Sequence, residues 1–159
     1  MTAVPPPTEP FATRDVQPRI AYFTFHLRGV EDGADPQSAC GSAPKRWTVL
    51  RGPGGAVFRC GSTDFRPHVR LEAWSGEPPA PPGDWDTVDT VEFRLYDSGI
   101  VRIEEWDGRP AGDPVDLGGP GAYGLRAASR GREAARLRHA AGETHFHGAE
   151  EWLLQLWPR

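Results

Sequence analysis

Lysine is almost missing from this 159-residue chain: Lys45 stands alone among 18 basic residues, the rest being arginine. Against them are 22 acidic residues, and the resulting net charge of -4 argues against a general nucleic-acid coat or a membrane-surface binder. Cysteine is scarce too. Cys40 and Cys60 are too few for a disulfide framework, and a single bridge between them would need an oxidising compartment. Long hydrophobic runs are absent, the longest being about four residues against the ~20 that span a bilayer. The opening MTAVPPPTEP has neither the basic nor the apolar region of a signal peptide, so a cytoplasmic protein with no membrane segment is expected.

Motifs of catalysis are lacking as well. No G-x-S-x-G elbow occurs, and GPGG at 52–55 is not followed by the Lys-Ser/Thr of a phosphate loop. RGVEDGADPQ lacks calcium-loop spacing, and neither cysteine sits in a nucleophile motif. No cofactor is expected, and nothing points to an enzyme, although a triad can assemble from distant residues.

What is plentiful is glycine (19), proline (17) and aromatic residues, with 6 Trp, 7 Phe and 3 Tyr. Disordered chains are usually poor in aromatics, so large rings between short Gly/Pro turns favour an ordered, β-rich fold. Residues 1–18 read as a flexible Pro-rich N-terminal arm, and 19–159 as a single domain.

IAYFTFHL (20–27) is dense in aromatic and β-branched residues, with Phe23, Phe25 and Leu27 on the expected core face. Residues 29–46 read as a long loop, followed by a hairpin of 47–51 and 56–60. Alternation continues at 68–75, where Val69, Leu71 and Ala73 oppose His68, Arg70 and Glu72. GEPPAPPGDWD is a stiff connector, because its prolines cannot donate to a ladder. Further strands are expected at 88–96, 100–106, 122–130 and 151–158, with at most one short helix, in EAARLRHAA. About eight short strands without a sustained helical period indicate an all-β antiparallel sandwich, of jelly-roll or Greek-key type.

Two features near the C-terminus add to this. In DLGGPGAYGLR, a Gly-rich turn delivers Tyr123 to the start of a strand, where sandwich folds place a tyrosine whose hydroxyl bonds back to the corner. Further, Pro120, Gly121, Tyr123, Arg126, Arg130, Gly131, Arg132, Glu150, Leu153, Gln155, Trp157 and Pro158 fit a P-G-x-Y-R-x-R-x-x-x-R-G-R … E-x-x-L-x-Q-x-W-P pattern. In this the chain resembles a group of actinobacterial β-sandwich proteins, over roughly its last forty residues. Gly124 departs from that pattern, standing where the group has Arg. More distantly the chain is similar to the competence protein J family, small β-sandwich proteins that bind and inhibit a secreted nuclease. The resemblance implies a sandwich fold and a protein partner.

Three constellations could carry function. His145 and His147 share a face of an extended strand, with Glu151 close behind, a partial cupin-like metal pattern that His26, His68 or His139 would have to complete. The bland alternative is two exposed histidines at a hairpin tip. Arg126, Arg130 and Arg132 would line one face if their strand ran on through Gly131, and guanidinium forks grip anionic groups. Cross-strand ion pairs with Glu143, Glu150 and Glu151 are the ordinary alternative. Trp85 sits in the rigid Pro-flanked connector, where an exposed ring could contact a partner or a sugar.

The leading expectation is a binding module for a protein partner, an inhibitor or accessory protein of an enzyme, working through Arg126, Arg130, Arg132 and Trp85. The alternatives are a metal-dependent cupin-like enzyme using His145 and His147, and small-ligand or glycan binding. EWLLQLWP, apolar on both faces, is either central in a sheet or covered by another subunit, which leaves a homodimer open.

Overall fold

A computed structural model describes residues 3–42 and 46–159. Among these the chain forms ten strands: β1 (Ala12–Val16), β2 (Thr24–Gly29), β3 (Val49–Gly52), β4 (Gly55–Arg59), β5 (Arg66–Ala73), β6 (Thr87–Leu95), β7 (Ile100–Glu104), β8 (Val115–Asp116), β9 (Gly121–Arg130) and β10 (His147–Pro158). One α-helix, α1 (Arg132–Ala140), and a 3-10 turn at Pro36–Ser42 complete it. The 3-10 turn falls in the segment expected as a loop, of which residues 43–45 lie outside the described residues.

The strands form two five-stranded sheets, β1-β5-β10-β9-β6 and β3-β4-β2-β7-β8, rather than a closed barrel. Their inner faces share one core. Trp152 is central to it, with Phe25 and Phe58 each 5.6 Å away, and truncating such a ring to Ala costs about 3–5 kcal/mol.

Alternation explains most strands. Val69, Leu71 and Ala73 of β5, and Tyr123, Leu125 and Ala127 of β9, enter the core as expected. The β3–β4 hairpin closes through Pro53-Gly54, with Gly52 opposite Gly55. Tyr123 donates its hydroxyl to the Gly119 carbonyl, four residues upstream, as the Gly-rich turn suggested.

Several expectations need correction. Antiparallel pairing does not hold throughout, because β10 runs parallel to β5, Leu154 facing Leu71. The chain between them passes through the second sheet, so β10 returns in the direction of β5. Ala12–Val16, within the segment read as an arm, is an edge strand paired with β5. The strand expected from Ile20 starts only at Thr24, after left-handed turns at Tyr22 (φ 54°) and Phe23 (φ 64°). Ile20 consequently joins the core, while Phe23 packs edge-on against His139, 5.2 Å between ring centres.

β10 lies between β5 and β9, and one of its two apolar faces, Trp152, Leu154 and Leu156, is buried in the core shared with the second sheet. On the other face Leu153 and Trp157 are buried as well, Trp157 against the Arg126 guanidinium that the chain's own Pro-rich connector holds in place. Gly124 of β9 faces Trp157 across the ladder, and a Cβ there would lie 2.4 Å from the Trp157 ring. The arginine of the actinobacterial pattern has no room at this position.

No helix among the described residues is long and apolar enough to cross a membrane.

Candidate functional site

On the outer face of the first sheet, the residues that alternate with the core are His68, Arg70 and Glu72 of β5, Glu151 and Gln155 of β10, and Arg126 and Arg130 of β9. Arg126 holds the connector down. Its guanidinium donates to the Pro78 and Pro79 carbonyls, pairs with Glu77 at 3.3 Å, and lies 5.4 Å from the centre of the Trp157 ring. This arginine therefore works inside the fold.

Arg130 is placed differently. Its Nε and Nη2 both donate to Glu151, at 3.0 and 2.7 Å, and its guanidinium lies 4.5 Å from the centre of the Trp85 ring. Trp85 is itself fixed by donating its indole N–H to the Pro82 carbonyl, 2.9 Å. These three side chains form one wall of a groove of about 710 Å³. The opposite wall comes from β1 and β5, where Asp15 and Arg70 pair at 2.9 Å. Residues expected to serve two separate functions, Arg130 and Trp85 on one side and Glu151 on the other, thus meet in one place. One face of Trp85 is already taken by Arg130, which leaves a sugar less of the ring to stack on.

The histidines divide. His147 and His68 are joined through the Gln17 amide, which is 2.8 Å from Nδ1 of the first and 3.1 Å from Nδ1 of the second. Gln17 and His68 line the groove. A β-bulge makes this contact: His147 faces Arg66 and Glu151 faces His68, with Gly148 (φ 77°) and left-handed Ala149 between. His145 is exposed on a left-handed turn, its main-chain N–H donating to the Asp64 carbonyl. Of the histidines that could complete a metal site, His26 is buried on the second sheet and His139 lies against Phe23. Among the described residues no group of three or more His, Cys, Asp or Glu is arranged to hold a metal.

Arg132 leaves the row altogether. β9 stops at Arg130, Gly131 turns left-handed (φ 82°), and Arg132 opens α1, donating to the Arg59 carbonyl at 3.0 Å. Beneath the helix the Glu150 carboxylate is fully buried and accepts from Gly61 N–H and the Trp152 indole. Burial pushes its carboxyl up, against hydrogen bonds from Gly61, the Cys60 thiol and Trp152. Burial also raises the Cys60 thiol well above its ordinary value, with the nearby Glu150 charge adding to it. Both cysteines are free thiols.

A second polar cluster went unseen in the sequence. On the outer face of the second sheet, Glu104 is 1% exposed and accepts from His26 at 2.9 Å, from Arg28 at 2.9 and 2.8 Å, and from Arg102. The other His26 nitrogen meets the Gln37 amide at 2.9 Å. The available signal was the i, i+2 pairing of charge in H-x-R at 26–28 and R-x-E at 102–104, whose register across β2 and β7 only the fold supplies.

No family model matches the chain, and no curated protein matches it. Among solved structures, the fold is similar to ComJ of Bacillus subtilis, an inhibitor of the DNA-degrading activity of NucA, with a TM-score of 0.56 over 95% of this chain and 98% of that one, at 15% identity. It is also similar to the crocagin biosynthetic gene J product, with a TM-score of 0.50 over 94% and 99% of the two chains, at 14% identity. At such identities the likeness is one of fold, and by fold this chain is ComJ-like.

Proposed function

We propose that this protein is a binding module that docks on a protein partner through the Trp85–Arg130 groove, and inhibits or escorts that partner. The observation that carries the reading is the assembly of Trp85, Arg130 and Glu151 on one wall. Tryptophan and arginine dominate the energetics of protein interfaces, and here the connector and Glu151 hold both in advance. The ComJ-like fold supports an inhibitory role, and a DNA-degrading enzyme is the partner class it suggests.

The test compares the wild-type chain with a Trp85→Ala/Arg130→Ala double variant as immobilised baits in extract of the source organism. A partner retained by the wild type is purified and its affinity for both baits measured, together with its DNA-degrading activity. At least a tenfold loss in the double variant is expected, with inhibition lost in parallel. Equal affinity for the two baits would reject the groove.

A further inference from the structure

Each sheet has two edge strands, and among the described residues three of these four edges are short or tied down. β8 has two residues and β3 has four. β1 has five, and the segment at 112–114 packs against it: the Arg14 guanidinium donates to the Pro114 carbonyl at 3.0 Å, and a Cβ on Gly112 would lie 2.5 Å from Val16. β6 is different. It runs for nine residues without a proline, and pairs with β9 from Thr87 to Leu95 in unbroken register. Every second residue of such an edge turns its main-chain N–H and C=O away from the ladder. On β6 these groups have no partner among the described residues. Donors and acceptors at this spacing match another extended chain.

The side chains say which chain. Asp89, opposite Ala127, is on the core-facing side of the sheet, and Arg94, opposite Ala122, is on the outer side. Both are exposed, and among the described residues neither makes an ion pair or a hydrogen bond. Arg51 of β3, exposed and equally unpaired, lines the same cleft of about 640 Å³ as Arg94. The acid in that cleft, Glu92, is turned to Arg159 at 3.6 Å. Asp97, exposed past the last pair of the ladder, does not line it. A second copy of this chain would not answer these charges. The two-fold axis that pairs identical edges antiparallel keeps the faces of the sheet, so Asp89 of one copy could never stand beside Arg94 of the other.

We infer that β6 takes up an extended segment of a different protein as an added strand, with a basic side chain opposite Asp89 and an acidic one opposite Arg94. The two lie on opposite faces of that segment and five positions apart, as Asp89 and Arg94 do. The inference rests on the protein-partner reading above and adds a contact at another edge, since no residue of β6 lines the Trp85 groove. Main-chain hydrogen bonds hold the segment, and the charges set its register and turn away strands with like charges at these places.

The test uses the partner retained by the wild-type chain in extract of the source organism, once purified. Hydrogen–deuterium exchange of the full wild-type chain is followed with and without it. Exchange at residues 87–95 is expected to slow on binding. An Asp89→Arg/Arg94→Glu variant is expected to bind at least tenfold more weakly while unfolding at the wild-type temperature, and the exchange measurement decides alone if that variant does not fold. Slowing confined to the groove, or unchanged affinity in a folded charge variant, would overturn the inference and leave the groove reading standing. A dimer of the chain alone in light scattering, with residues 87–95 already protected, would give the edge to a second copy and overturn it too. Slowing at β6 with full affinity in Trp85→Ala/Arg130→Ala would reject the groove only, and retention of no partner would overturn both.

Discussion

Glu104 and His26 face each other across β7 and β2, 2.9 Å apart, in a place that solvent barely reaches. Arg28 and Arg102 close on the same carboxylate. Substituting Glu104→Gln keeps the shape and strands two guanidinium groups, so a loss of about 3–5 kcal/mol is expected. Urea unfolding at neutral pH measures it, and a loss below about 1 kcal/mol, the usual worth of an exposed pair, would show that the cluster contributes little.

Acid should act through the same residue. Burial pushes the Glu104 carboxyl up, but hydrogen bonds from Arg28, His26 and Arg102 outweigh it and hold it below its ordinary value. Its stabilisation is therefore complete above the unfolded value of about 4.3 and is lost as pH falls through the lower folded value. Glu150 has the opposite sign. Its folded value is raised, so stability declines as pH rises from about 4.3 toward that folded value. Unfolding free energies between pH 3 and 8 should show Glu104→Gln flattening the acid limb and Glu150→Gln the decline above it. Curves parallel to the wild type in both variants would contradict these assignments.

The two thiols should differ in reactivity. Cys60 is buried with its thiol raised well above the ordinary value, whereas Cys40 is only partly covered and raised by burial and the Asp35 charge. A thiol-specific reagent at mildly alkaline pH is expected to modify Cys40 in the native protein and Cys60 only on unfolding. Two equally fast thiols would mean that the Glu150 pocket opens readily.

Two glycines offer a matched comparison. At Gly131 a Cβ would lie 1.9 Å from the Ala149 carbonyl oxygen, while at Gly142 (φ 78°) it would meet nothing within 4 Å. Gly142→Ala should cost only left-handed strain, about 1–2 kcal/mol. Gly131→Ala should cost clearly more, about 4 kcal/mol or beyond, as strain plus steric overlap. Thermal or urea unfolding of the pair decides, and equal losses would remove the close approach of α1 to the bulge.

How far the sequence could be read follows from how local each signal was. Alternation in β5 and β9 is written in adjacent residues, as is the Gly-rich turn before Tyr123, and these were legible. β1 was not, because an edge strand half-buried along its length carries no clear alternation. Arg132 was expected beside Arg126 and Arg130 because nothing local distinguishes a strand passing through Gly131 from one that ends there. The groove lay furthest from view. Trp85 meets Arg130, and Gln17 meets His147, only after sheet order has been decided.

β10 follows the other nine described strands in the chain, yet it occupies the middle of the first sheet. Until residues 147–158 have left the ribosome, β5 and β9 have no shared neighbour, and Trp152 is missing from beside the stacked rings of Phe25 and Phe58. The nascent chain must wait with its apolar strands uncovered, and closing contacts of such long span takes roughly milliseconds to seconds. The most vulnerable moment of this fold is thus the interval before its central strand arrives.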